Sequence, residues 1–240
     1  MPKVLIGVVT HGKQRFCLDE FQESLDKQSV KSDVLFVVNH GESAYVSLLR
    51  SRNLNAVENP VSASSKIEHI VSGRKYLREY ALKNGYDELI FVDSDVMLPA
   101  GGVEWLLATN GDVVSGVCLE AFMIDGKTVV APFLFKDIGG GQCKQFTYDG
   151  IYRPQVVAIG AAGFGCVRIK RKVLEAVDIR ANTSGREDIS FFVDAREKGF
   201  KCFANTLVKC VHRVYPKEDA RSGFFEWKRR IEDFNFDVKL

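Results

Sequence analysis

The sequence contains no run of about 18 consecutive apolar residues, which excludes a transmembrane helix of ordinary length. Met1-Pro2-Lys3 leads directly into VLIGVV, too short and too poorly flanked by basic residues for a secretory signal, so a cytoplasmic location is expected. The six cysteines (Cys17, Cys118, Cys143, Cys166, Cys202, Cys210) include no C-x-x-C spacing, and no zinc site is expected. Cys118, Cys166 and Cys202 lie in apolar, strand-like runs, where a free thiol behaves as a small hydrophobe; a reducing compartment fits that use. Neither sign of charge is in excess. With 33 Lys and Arg against 31 Asp and Glu, the net charge is +2, and nothing in it argues for a nucleic-acid binder dominated by phosphate contacts. Repeats, low-complexity tracts and linker-like stretches are also missing, so the 240 residues read as one domain. A phosphate-binding loop is missing too. The glycines of GAAGFG (residues 160–165) have neither the G-x-G-x-x-G spacing nor the Gly-Lys-Ser/Thr ending that such loops need.

What is present is an ordinary globular composition, 46% hydrophobic and 27% charged, on a chain long enough to bury a stable core without disulfides. The first half alternates strand and helix. Val4–Val9 and Val34–Val38 are apolar strands ending at Thr10-His11-Gly12 and Asn39-His40-Gly41, with a short third strand at Asn55–Glu58. Between them, Arg15–Gln28 reads as an amphipathic helix with Phe16, Phe21 and Leu25 on one face, and Glu42–Arg52 as a short helix. Ser64–Asn84 is a longer helix, with Ile67, Ile70, Val71, Leu77 and Leu82 at core spacing and Gly85 as its stop. Strands alternating with helices imply βαβ units and a parallel sheet with right-handed crossovers.

The second half has a different pattern. It reads as a helix at Gly102–Ala108 and a strand at Asp112–Leu119, then a hairpin formed by Val129–Phe135 and Gln142–Tyr148 around Gly139-Gly140-Gly141. A glycine-containing run at Gln155–Ile169, helices at Arg171–Val177 and Glu187–Lys198, and a strand at Lys201–Val208 follow. Residues 1–110 read as a parallel, nucleotide-binding half, 111–220 as a mixed half for a second substrate, and 221–240 as an aromatic, basic tail.

The most informative stretch is ELIFVDSDVMLP (residues 88–99), where a buried-type strand ends in two carboxylates, Asp93 and Asp95. In an open parallel sheet, ligands bind beyond the carboxyl ends of the strands. Two hard oxygen ligands there suit a divalent cation such as Mg²⁺ or Mn²⁺, and such a cation suits a diphosphate. The plainer alternative is that Asp93 ends the strand and Asp95 makes an Asx-type turn before Pro99.

Three further segments follow in order: GAAGFGCVRIKRKVLEAV, REDISFFVDAREKGFKCFA and the terminal VKCVHR. Together with VDSDVMLP they resemble the GT-A class of glycosyltransferases, in particular small family-2-like enzymes, and the resemblance covers nearly the whole chain. It implies a GT-A, Rossmann-like mixed α/β sheet, parallel in its N-terminal half and flanked by helices. The activity implied is transfer of a sugar from a nucleoside-diphosphate sugar to a hydroxyl on a glycan, lipid-linked or protein acceptor, with inversion at the anomeric centre if Asp188 is the base and with retention as the alternative. By the same resemblance, Asp95 and His212 would ligate Mn²⁺ or Mg²⁺, with Asp93 reaching the ribose or the metal. Asp188 would act as general base and Glu187 would orient the acceptor. Thr10, His11, Asn39 and Arg74 would hold the nucleotide, with Arg78 competing for the role of Arg74, and Gly163 would lie in a floor beneath the donor.

Plainer readings stand beside these. Acidic residues are ordinary in a helix's first turn, the glycines could form a bulge, and His212 could be a strand-end histidine bonded to backbone. His11, His40 and His69 show no metal-ligand spacing. FFEWKRRIEDFNF (residues 224–236) carries apolar and basic residues together, suited either to peripheral contact with a lipid interface or to covering the sheet. Two competing functions share the sheet: a sugar-nucleotide pyrophosphorylase, which needs a Gly- and Arg/Lys-rich loop where VVTHGKQRF stands, and a non-catalytic sugar- or nucleotide-binding domain.

Overall fold

A computed structural model describes residues 2–124, 126–139, 142–181 and 186–227. In chain order the strands are β1 (Val4–Thr10), β2 (Asp33–Val38), β3 (Ala56–Glu58), β4 (Glu88–Val92), β5 (Val96–Met97), β6 (Val113–Val117), β7 (Leu119–Ile124), β8 (Lys127–Pro132), β9 (Leu134–Gly139), β10 (Gln142–Gln145), β11 (Val156–Ala158), β12 (Ala161–Ala162), β13 (Cys166–Lys170), β14 (Cys202–Lys209) and β15 (Val211–His212). The helices are α1 (Leu18–Asp26), α2 (Ser43–Ser51), α3 (Lys66–Lys83), α4 (Gly102–Ala108), α5 (Tyr148–Tyr152), α6 (Arg171–Ala176) and α7 (Glu187–Glu197).

Eight strands form the central sheet in the order β11-β14-β6-β13-β4-β1-β2-β3. β1 pairs in parallel with both β2 and β4, and β2 with β3. The antiparallel strand β13 lies between β4 and β6 and joins this parallel half to the rest. β1 and β4 are apolar runs because both faces of the sheet are covered, which parallel strands require. The sheet is therefore mixed, parallel in its N-terminal half and flanked by helices, as the sequence implies.

α3 is the crossover that feeds β4, and it starts at a well-formed cap. Ser65 Oγ accepts a hydrogen bond from the Glu68 N–H, and the Glu68 carboxylate accepts from Ser64 in return. The helix meets the sheet only from its third turn. A Cβ on Gly73 would lie 2.9 Å from the Val9 side chain, and one on Gly7 would lie 3.0 Å from Leu77, so both glycines permit close packing of helix on strand. Ile67, Ile70 and Val71, expected in the core, are only half-buried, because Ile67 and Ile70 overhang a cavity and Val71 faces a separate hollow beside Asn59, Pro60 and Tyr76.

Two other expectations change. Residues 12–17 wind as a 3₁₀ turn rather than as the start of α1, which shifts the phase and leaves Phe16 45% exposed while Phe21 is buried. The run at residues 129–135 breaks at Phe133, whose N–H donates to the Cys118 carbonyl. Lys127–Pro132 then pairs with Leu119–Ile124 in one hairpin, and Leu134–Gly139 pairs with Gln142–Gln145 in the next. Of the predicted glycine turn, residues 140 and 141 lie outside the described residues. The tail turns inward as far as it is described. Phe225 is buried, the Trp227 ring stacks on Tyr148 at 5.4 Å, and Trp227 Nε1 donates to the Cys210 carbonyl at 2.7 Å. Lys228–Arg230, Ile231 and Phe234 lie outside the described residues. Among the described residues, no helix is long and apolar enough to cross a membrane.

Leu77 is fully buried at the junction of α3, β1 and β4. Leu77→Ala is expected to cost about 2–5 kcal/mol of folding free energy through the cavity it leaves. Urea denaturation measures that loss, and an unchanged far-ultraviolet circular dichroism spectrum before the transition checks that the fold is kept.

Candidate functional site

The carboxyl ends of β1, β2 and β4 open onto two adjoining cavities. The first, of about 690 Å³, is lined by Thr10, His11, Asn39, Asp93 and Asp95, among others. The second, of about 560 Å³, is lined by Phe133, Gly163, Glu187 and Asp188 and by the overhanging turns of α3. Lys66, Ile70, Arg74, Asp93, Glu120 and His212 line both and form the seam between them. Apart from Arg78, every residue singled out in the sequence for a site therefore borders this pair of cavities, although the residues do not all take up the arrangement expected of them.

Arg74 is the centre of the arrangement. It is 4% exposed, and its Nη2 donates to Asp93 Oδ1 at 2.8 Å while Nη1 pairs with Glu187 Oε1. Its guanidinium lies over the Phe164 ring, 4.8 Å from the centroid. Burial disfavours the charge, but Asp93, Glu187 and Asp188 outweigh it and hold the arginine more firmly protonated than usual. Arg78, the competitor, is spent elsewhere: its Nε donates to the Leu174 carbonyl at 2.7 Å. Glu187, expected to face an acceptor, instead turns to Arg74. The next residue, Asp188, is also buried, and its carboxyl is pushed up to about 6 by burial and by the neighbouring Glu187 charge, with Arg74 acting in the opposite sense.

The turn after β4 places the second carboxylate. Val96 N–H donates to the Asp93 carbonyl, closing the turn, and β5 then pairs antiparallel with β15, setting His212 opposite Val96. Arg213 N–H donates to the Asp95 carbonyl at 2.7 Å, so the turn is tied to the last strand. As a result His212 Nε2 lies 3.6 Å from Asp95 Oδ2, and Gln14 Nε2 donates to the same oxygen at 2.7 Å. On its other side His212 Nδ1 is 3.2 Å from the Leu119 carbonyl and 3.4 Å from Glu120 Oε2. Burial disfavours a charged imidazole here, but Asp95 and Glu120 prevail and push His212 up to about 10. Asp95 is likewise held below the usual carboxylate range, against the effect of burial, by its contact with His212.

Among the described residues, no three His, Cys, Asp or Glu side chains converge on one point as a ready metal cluster. Asp93 is directed to Arg74, whereas Asp95 Oδ2 and His212 Nε2 face each other across 3.6 Å. That pair is the part of the expected ligand set whose donor atoms and placement suit a divalent cation; the carboxylate suits Mn²⁺ or Mg²⁺ and the imidazole is compatible with Mn²⁺. Glu120 and Gln14 were not predicted. Glu120 carried a weak signal, a carboxylate within the otherwise apolar VSGVCLEAF, while nothing in the sequence marked Gln14.

The glycine run also differs from expectation. None of Gly160, Gly163 and Gly165 has a positive φ. A Cβ on Gly163 would lie 2.5 Å from the Phe133 ring, and one on Gly160 would lie 2.6 Å from Cys143 Sγ and 3.0 Å from the Asp137 backbone nitrogen, so protein neighbours already crowd both positions. Gly163 does border the second cavity, with Phe164 and Gly165 beside it.

No family model matches the chain, and no curated protein sequence does either. Solved structures do. Protein A197 from STIV superposes with a TM-score of 0.51 at 18% identity, over 89% of this chain and 87% of that one. The mannosyltransferase PcManGT from Pyrobaculum calidifontis, solved in complex with GDP-Man and Mn²⁺, gives 0.56 at 16% identity over 90% of this chain and 58% of that one. Residues 1–349 of S. aureus TarS give 0.52 at 16% identity, over 85% and 58%. The chain thus spans about 58% of the length of two of these structures. At such identities the likeness is one of fold, and the fold is that of a GT-A-like glycosyltransferase.

Arg74→Met would leave Glu187 buried without its partner and is expected to cost about 3–5 kcal/mol. Adding Glu187→Gln removes the stranded charge, so the double variant should recover a measurable part of that loss in urea denaturation. A double variant less stable than Arg74→Met alone would show that Glu187 is held by other groups.

Proposed function

We propose that the chain is a glycosyltransferase, moving a sugar from a nucleoside-diphosphate donor to a hydroxyl acceptor with inversion and with the help of Mn²⁺ or Mg²⁺. The observation that carries this proposal is the pair of cavities at the strand tips of a GT-A-like sheet, meeting at Arg74, Asp93 and His212. The neighbour solved with GDP-Man and Mn²⁺ supports a nucleotide-sugar donor and a divalent cation.

In this function the nucleotide lies in the first cavity, with Thr10, His11 and Asn39 beside the base and ribose. Asp95 and His212 would hold the cation, which supplies Lewis-acid stabilisation to the departing nucleoside diphosphate. Asp93, fixed by Arg74, presents its free oxygen to the donor. Glu187 holds the arginine in place from the other side. The acceptor enters the second cavity, where Asp188 accepts the proton of the attacking hydroxyl. Its high proton affinity suits that task, since a buried carboxylate that binds a proton more tightly than usual is a stronger base.

Two outcomes test these assignments. Turnover of nucleoside-diphosphate sugars, followed as release of the nucleoside diphosphate, should disappear in Asp95→Ala and fall at least about 100-fold in Asp188→Asn. In the wild type it should rise with pH through about 6, as Asp188 loses its proton. Stability should move the opposite way. Because the folded-state pKa of Asp188 is raised, ionising it opposes folding: the cost is absent below about pH 4, develops between pH 4 and 6, and is complete above that. Asp188→Asn should therefore melt higher than the wild type at about pH 8, by the equivalent of up to about 3 kcal/mol, and show no such gain near pH 4. Equal gains at both pH values would mean that Asp188 is not the strained carboxyl described here.

A further inference from the structure

A positive side chain can add to what a metal does for a diphosphate leaving group, and Arg74 is already committed. Both ends of its guanidinium are engaged, by Asp93 and Glu187, and it lies over the Phe164 ring at the edge of the cavities. His212 lies between Asp95 and Glu120. Lys13 borders the first cavity only. Lys66 is different. It is the first residue of α3, it borders both cavities, and its ammonium makes no ion pair or hydrogen bond among the described residues. Its charge is felt by His11, across the first cavity.

We infer that Lys66 is the cationic residue that follows the diphosphate during transfer, from the seam between the two cavities. This rests on the function proposed above and extends it to a residue that neither the motifs nor Arg74 would indicate. The turn that carries Lys66 is anchored by the Ser64, Ser65 and Glu68 hydrogen bonds, so the backbone is placed while the four-carbon side chain remains free to move. An ammonium on such a stem is a mobile point charge with three donors, suited to a group whose charge grows and shifts as the glycosidic bond breaks. Arg74 has the opposite character, a planar fork held rigid by two carboxylates.

The test uses the full chain and titration calorimetry with UDP, GDP, CDP, TDP and ADP in turn, each with Mn²⁺, and with the matching monophosphates. The diphosphate that binds the wild type should bind Lys66→Ala about 10- to 100-fold more weakly, the range expected for losing one charge-assisted contact. Its monophosphate should lose less than about threefold, and Lys66→Arg should restore most of the diphosphate affinity. Lys66 is exposed, so the variant's melting temperature without ligand should match the wild type. Diphosphate affinity unchanged in Lys66→Ala overturns the assignment and leaves the proposed function standing. If the wild type binds none of the five diphosphates, the proposed function fails and Lys66 fails with it.

Discussion

A buried guanidinium between two carboxylates links the halves of this fold. Arg74 comes from the crossover helix of the parallel half, Asp93 from the tip of β4, and Glu187 from the first turn of α7 in the mixed half. Burying such a group is costly unless its charge is answered, and here a carboxylate meets each terminal nitrogen. The Phe91 and Phe164 rings face it, and Phe191 and Phe192 pack on Phe164 in turn. The ion cluster thereby sets the distance between the first turn of α7 and the strand tip, and so places Asp188 in the second cavity. Its net contribution to stability is modest by comparison with the geometric constraint it imposes.

A second constraint acts from the far end of the chain. Two residues of β15 pair with two of β5, and the side chain of Arg213 binds Glu20 through two hydrogen bonds and Glu226 through a third. Phe225 meets the His212 ring edge-on at 5.9 Å. α1, the described part of the tail and the last strand are thus tied together around the turn that carries Asp95. Asp95, Glu120, Asp93, Glu187 and Asp188 then crowd into one region, balanced only in part by Arg74 and His212. A region so rich in carboxylates repels a diphosphate unless cations accompany it, which is why the divalent ion and Lys66 belong to the same account.

Much of this was legible in the sequence because local pattern and tertiary role agree there. The apolar runs of β1 and β4 mark two-sided burial, and an acid at the end of such a run marks a strand tip. The roles of Arg74, Asp188 and His212 came from family resemblance, and the structure brings all three to the same pair of cavities. What stayed hidden depends on partners far away in sequence. Arg168 is fully buried in the middle of β13 because its guanidinium donates to the carbonyls of Leu106, Thr109 and Gly111 at the end of α4, about which its neighbours in sequence carry no information. Ile67 and Ile70 carry core periodicity yet face a cavity, since periodicity reports which side of a helix is apolar and not where the sheet beneath it ends. The glycines of the 160–165 run looked like a ligand floor, although the groups that crowd Gly160 and Gly163 are the Cys143 thiol and the Phe133 ring.

The most direct measurement is the melting temperature of the full chain with UDP, GDP, CDP, TDP and ADP in turn, each with Mn²⁺ or with EDTA, in the wild type and in Asp95→Ala. Ligand that binds only the folded state raises the transition by mass action. One diphosphate should raise the wild-type melting temperature in Mn²⁺, with the shift lost in EDTA and in Asp95→Ala. A shift that persists in both would contradict a cation held by Asp95, and the absence of any shift would contradict a nucleotide site at these strand tips.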